Sequence, residues 1–126
     1  MNPLLIKNFT AKGVISRYRI VKHGAADGEV LQGAAPTDAL LGVIDLPSDV
    51  AAASDERVDV VTHGLAPVEY GGAVTRGDPL TSDGQGRAVT AAPAAGSNNR
   101  IIGFAAVSGV LGDVGLVDIS KGSLQG

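Results

Sequence analysis

Turn-forming residues interrupt this chain so often that long regular elements, helices above all, are disfavoured from the outset. Glycine occupies 18 of 126 positions, about twice its ordinary share of roughly 7%. The pattern is densest at residues 71–89, GGAVTRGDPLTSDGQGRAV, where glycines, a proline and two aspartates separate short apolar stretches. Such spacing favours short strands joined by tight turns. Hydrophobic residues make up 44% of the chain but aromatics only 3%, so a core must come from Val, Ile, Leu and Ala. The length suits one domain.

Backbone geometry accounts for the glycine-rich stretch without a ligand. Val74 and Leu80 flank Arg76-Gly77-Asp78-Pro79. Pro79 restricts Asp78 to an extended conformation, and Gly77 supplies a turn. Leu80-Thr81-Ser82 and Arg87-Ala88-Val89-Thr90 then bracket Asp83-Gly84-Gln85-Gly86, and Asp-Gly between apolar runs signals a hairpin. A phosphate cradle at Gly84-Gln85-Gly86 would need a helix after it, and Pro93 follows too soon. Arg76-Gly77-Asp78 matches an adhesion tripeptide, but so short a motif recurs by chance in Gly- and Asp-rich turns. Asp78 and Asp83 lack the alternate carboxylates of a calcium loop. The pattern G-x-x-V-x-x-G-D-x-L resembles lipoyl and biotinyl carrier hairpins in its turn mechanics only, because none of Lys7, Lys12, Lys22 and Lys121 sits at such a tip.

Two segments of about fifty residues resemble each other. Ala39-Leu40-Leu41-Gly42-Val43-Ile44-Asp45 is echoed by Arg100-Ile101-Ile102-Gly103-Phe104-Ala105-Ala106. RVDVVTHG at 57–64 is echoed by GLVDISKG at 115–122 after a small length change, and VISRYRI at 14–20 weakly matches VTRGDPL at 74–80. Two similar meanders of like composition would look the same. An apolar run ending in Gly reads as a buried strand whose glycine permits a bulge or close packing. Val58 to Thr62 mixes alternating and buried character. Neither half is able to bury its sheet alone, and packing the two together removes or shortens their edges. The fold expected is therefore all-β: a small β-barrel or β-sandwich of two weakly similar halves, with an extended N-terminal arm and at most one short helix. The arm spans 1–13, and a single β domain spans 14–126 with pseudo-repeats at about 14–64 and 74–122. The helix would be a turn or two at Ser48–Ala53, capped by Ser48. Residues 91–99, AAPAAGSNN, read as a loop because Pro93 breaks a strand.

Several function classes are disfavoured. With no cysteine, thiolate nucleophiles and cysteine-ligated metals are impossible, and an intracellular origin is favoured. The start MNPLLIKNFT lacks a signal peptide's apolar run, and no stretch approaches the roughly 20 apolar residues of a membrane helix. Net charge is -3, unlike the basic, aromatic-lined surfaces of nucleic-acid binders, so no specific nucleic acid is expected. His23 and His63 each precede Gly and have no companion ligands at metal-site spacing. No nucleophile elbow is present. Neither an enzyme nor a cofactor or metal site is expected.

Charge is unevenly spread. Lys7, Lys12, Arg17, Arg19 and Lys22 give the first 22 residues +5, while five bases and thirteen acids give the rest -8. A basic arm of this kind suits a solvated face or an acidic surface on a neighbour.

The order of motifs resembles the small capsid decoration, or cement, proteins of tailed bacteriophages. The resemblance runs through KNFTAKG (7–13), VTHGLAPV (61–68), VTRGDPLTSDGQGRAV (74–89), RIIGFA (100–105) and VGLVDI (114–119). The acidic, Ala-rich 45–57 segment stands outside it. The resemblance implies a structural, non-enzymatic protein, made in the host cytoplasm and placed on the outer surface of the head in the virion. Its partners would be the major capsid protein and itself, as a homotrimer or a dimer. A structural or adhesive module of a phage tail or fibre is the alternative. The opposite charges of residues 1–22 and the 45–59 loop, both outside the repeated strands, nominate contact residues: Leu4, Leu5, Ile6, Lys7, Phe9, Lys12, Arg17, Arg19, Asp49, Asp55 and Glu56.

Overall fold

Short β-branched and apolar runs between turn residues become strands, as their composition dictates. The structure, a computed structural model, describes residues 3–46 and 51–126. Its strands are β1 (Pro3–Ala11), β2 (Ile20–His23), β3 (Glu29–Gln32), β4 (Leu40–Asp45), β5 (Arg57–Glu69), β6 (Pro79–Ser82), β7 (Ala88–Thr90), β8 (Asn98–Ala105) and β9 (Val114–Gln125). Among the described residues there is no helix. The fold is all-β.

The first five strands close into a barrel in the order β1-β3-β2-β4-β5, because β1 also pairs with β5. The expected N-terminal arm is extended, but it is a stave of this barrel rather than a free segment. From Pro3 to Thr10 it runs antiparallel to β5, and Thr10 and Ala11 run parallel to Glu29 and Val30 of β3. Closure leaves the barrel without an open sheet edge along these pairings.

The long strand β5 then serves a second set. Its Gly64–Glu69 portion pairs with β9, and the sheet continues β9-β8-β6-β7. Tyr70, just after β5, makes a parallel bridge to Ala88 of β7 and brings the second set round on itself. The two sets share a pairing pattern. Ala11 faces Val30 in parallel as Tyr70 faces Ala88. Ile15 bridges Ala52 as Val74 bridges Gly109. Val43 opposes Val61 as Phe104 opposes Asp118. The last pair sets the β5–β9 correspondence one residue away from the match of Gly64 with Gly122.

Ala51–Ala53 are not helical. Ala52 is almost fully buried and bridged to the buried Ile15, so this small side chain is used as a packing contact. Residues 47–50, which carry the rest of the expected helix, lie outside the described residues. The 91–99 loop is shorter than expected, since Asn98 and Asn99 already pair with Gln125 and Leu124.

Burial explains why some strands alternate and others read as continuous apolar runs. In β5, Val58 and Val60 point in while Arg57 and Asp59 are exposed. In β4, Leu41 and Ile44 fill the first barrel, with Val21, Val30 and Val60. Leu40 and Val43 face the other way and join Ile20 and Val61 in a core shared with Val68, Tyr70, Leu80, Ile102 and Val117 of the second set. A strand buried on both faces needs no polar alternation. Gly42 lets β4 lie close to β5: a β-carbon there would strike the Val61 carbonyl oxygen. Gly103 stands against the Asp118 carbonyl in the same way.

Candidate interaction surfaces

The glycine-rich stretch is spent on structure. Gly77 takes a φ of 93° at the third position of a turn, where an L side chain is disfavoured. The Asp78 carboxylate accepts from the Thr75 amide at 2.9 Å and the Thr90 hydroxyl at 3.0 Å, which draws the Arg76-Gly77-Asp78 tripeptide into the turn. Asp113 repeats the device, accepting from the Val110 amide at 3.0 Å. The equivalent turns before β2 and β5 place Tyr18 and Asp55 at φ 63° and 71°.

The β6–β7 hairpin is a latch between the barrel and the second set of strands. Asp83 Oδ1 accepts from the amides of Gln85 and Arg87, and Asp83 Oδ2 takes the Arg87 Nε–H at 2.9 Å. The turn so fixed offers the Gly86 carbonyl to the Ile20 amide at 2.7 Å. Arg19 Nη1 donates to the Gln85 carbonyl at 2.8 Å, and Arg19 Nη2 lies 3.3 Å from Glu69. Arg87 reaches the same Glu69 at 4.0 Å. The Arg19–Glu69–Arg87–Asp83 chain thus ties β2, β5 and the hairpin together.

The nominated contact residues separate into two groups. Leu5 and Ile6 on β1 are 43% and 42% exposed; Lys7 and Glu56 are exposed as well. Leu4 is a position of the same strand. Phe9 packs partly buried against the first core, and Arg19 serves the latch. Arg17 stacks over the Tyr18 ring at 4.5 Å. Lys12 pairs with Asp55 at 2.7 Å, which raises the Lys12 pKa above its ordinary value through that hydrogen bond and the carboxylate's charge. The opposite charges of Lys12 and Asp55 therefore meet within one chain. Asp49 lies outside the described residues.

Further exposed apolar side chains lie elsewhere. Phe104 at the end of β8 is 41% exposed, and the following loop and strand start present Val110 at 59%, Leu111 at 62% and Val114 at 49%. The signal was in the sequence: in VSGVLGDV (107–114), the glycines force turns, and residues at turn tips have no core to enter. At the matching turn of the first barrel stand Ser54, Asp55 and Glu56.

A polar recess of about 220 Å³ opens where β9 passes β4, lined by Leu40, Arg100, Ile101, Lys121 and Ser123. A second recess, holding Thr37, Asn98 and Asn99, shares Arg100 and Ser123 with it. Lys121 Nζ donates to the Leu41 carbonyl at 2.9 Å, and burial lowers its pKa. Among the described residues no group of three or more His, Cys, Asp or Glu side chains is placed to hold a metal ion.

A family model described as phage cement protein matches residues 7–117. No curated protein matches the chain. Among solved structures, the fold is similar to the head fibre gp8.5 N base of bacteriophage phi29, with a TM-score of 0.67 and 20% identity over 97% of this chain and 98% of that one.

Proposed function

The chain belongs to the phage cement protein family, and from that membership we propose that it is a non-enzymatic virion protein that binds the outer surface of a phage head and stabilises the capsid lattice. The observation that carries this reading is the family match, which spans the barrel and most of the second set of strands. The major capsid protein is the partner it implies.

The geometry fits the task. A barrel and a second set of strands that share β5 and are latched by the β6–β7 hairpin make one connected body, as a clamp requires. The apolar turn of Val110 and Leu111, with Val114 and Phe104, offers the surface whose burial against the shell would be favourable. Leu5 and Ile6 on β1 form a second, smaller apolar contact. Modest contacts repeated over a lattice give avidity without one tight interface.

A second reading has support of its own. The fold likeness to a phi29 head fibre base extends over nearly the whole of both chains. On that reading the chain is the foot of a fibre, and shell binding serves attachment rather than reinforcement.

Co-sedimentation of the protein with empty head shells of its source phage, before and after expansion, tests the proposal. Saturable binding at a fixed ratio to the shell subunit, with shells made more resistant to heat, is the expected result. Saturable binding without added resistance supports the fibre-foot reading. Absence of binding to either shell overturns both.

A further inference from the structure

Among the described residues, one recess gathers cations that have no carboxylate partner and another gathers carboxylates that have no ion pair. At the cationic site, Arg100 is exposed and its guanidinium has no partner among the described residues, while Lys121, also exposed, has a backbone carbonyl as its partner. Thr37, Asn98, Asn99 and Ser123 surround them with further hydrogen-bonding groups. This is the chemistry of a carboxylate receptor: a guanidinium fork beside an ammonium, with neutral polar groups at its rim. The other pairing cations are engaged, Lys12 with Asp55, Arg19 with Glu69, Lys22 with Asp38 and Arg87 with Asp83.

At the anionic site, Asp45 of β4 and Asp59 of β5 are direct cross-strand partners. Like charges placed so destabilise a sheet. Glu56 lines the same recess. Asp59 accepts only from the Asn8 amide, at 3.1 Å, and Asp45 and Glu56 have no ion pair among the described residues. Arg57 is the cation of that recess, and its Nη1 donates to Thr10 at 2.8 Å. A cation supplied from outside would relieve the repulsion.

We propose that the Arg100–Lys121 recess of one copy receives the Asp45–Asp59 carboxylate pair, with Glu56, of a second copy. Charge complementarity chooses the occupant. The recess sits on the second set of strands where β9 passes β4, and the carboxylates sit at the β4–β5 face of the barrel. The contact is heterologous: each copy gives one surface and takes the other. Such contacts propagate and either close into a ring or continue as an open chain. The charges set register and partner choice more than affinity. The proposal concerns copy-to-copy contact and stands apart from shell binding.

Sedimentation velocity of the full chain, with three charge variants, tests it. The wild type is expected to associate, and more weakly when salt rises from about 0.05 M to about 1 M, where the screening length falls to roughly 3 Å. R100E is expected to weaken association at least about tenfold, as is the pair E56K and D59K, because each leaves like charges facing across the contact. The combined R100E, E56K and D59K chain again sets opposite charges across the contact at the exchanged positions, and should associate at least about threefold more tightly than either R100E or the E56K and D59K pair. Circular dichroism of each variant confirms that the sheet persists. A monomeric wild type, association indifferent to salt, R100E behaving as wild type, or a folded triple variant that stays dissociated would each overturn the proposal. If a variant fails to fold, the wild-type salt titration still decides, since loss of association in high salt is required.

Discussion

Gly115 lies against the ring of Tyr70, so close that a β-carbon at 115 would occupy the space of the phenol. Gly109 meets the same ring from another side. Tyr70 is fully buried, and its hydroxyl donates to the Val107 carbonyl at 2.6 Å. In the first barrel the matching places hold Ala11, Val58 and Ala52, all buried. The barrel thus fills these places with three modest side chains, the second set with one large ring against two glycines. G115A should cost about 2–3 kcal/mol by overpacking, measured by urea denaturation. Combining it with Y70L should return part of that loss, and purely additive costs would show that the two positions are not coupled.

Tyr70 also makes stability depend on alkaline pH. Burial pushes its pKa above the ordinary 10.0, because the buried ring disfavours the phenolate. The unfolded chain ionises at the ordinary value while the folded chain still holds its proton, so the unfolded state gains. The contribution is whole below the unfolded pKa and is lost as pH rises through the folded one. Melting temperature should therefore fall as pH rises above about 10 in the wild type, and fall less in Y70F.

Gly42 and Gly103 hold their strands against the carbonyls of Val61 and Asp118. A methyl group at either place must push two paired strands apart. G42A and G103A should each lower stability by about 2–4 kcal/mol, because the collision is with backbone rather than with a flexible side chain. By contrast G72A, where an added β-carbon meets nothing within 4 Å, should be close to neutral. Chemical denaturation of the three variants measures the contrast.

Arg19 joins the barrel to the second set of strands through the Gln85 carbonyl and Glu69. R19A should cost about 1.5–3 kcal/mol, the range for a hydrogen bond to a charged group. R19K keeps the charge but lacks the fork that reaches both partners, and should recover only part of it. Amide exchange should show the loss first at Ile20, whose N–H is given to Gly86 across the latch.

Leu111 is 62% exposed and Val110 is 59% exposed. L111D and V110D should change stability by less than about 0.5 kcal/mol, as surface substitutions do. On the shell-binding reading each should weaken binding to head shells several-fold in co-sedimentation. Leu5→Asp on β1 supplies a comparison for the smaller patch.

Sequence reasoning reaches the all-β class because glycine and proline punctuation leaves only short apolar runs, and because Leu40-Leu41-Gly42 and Arg100-Ile101-Ile102-Gly103 carry a buried strand with its close-packing glycine. It reaches the family through the order of its motifs. It also identifies Asp83 to Gly86 as a hairpin, since Asp-Gly between apolar runs is a local signal. The contact residues were less legible. Phe9 and Arg19 fall in the basic first 22 residues nominated for contacts, yet one packs against the core and the other serves the latch. Lys12 and Asp55 are 43 residues apart in the chain, and their pairing at 2.7 Å follows from loops meeting in space.

The sequence by itself determined the class of local element: strands where apolar residues run or alternate, turns where glycine, proline and aspartate fall, and a core of aliphatic side chains. Those are short-range matters of backbone freedom and solvation. Tertiary structure alone decided that β1 closes a barrel and that β5 serves two. It also decided that Asp45 faces Asp59, and that Arg100 and Lys121 share a recess. Each is a pairing between distant segments, set by which strand edges find one another and not by any residue's own preference.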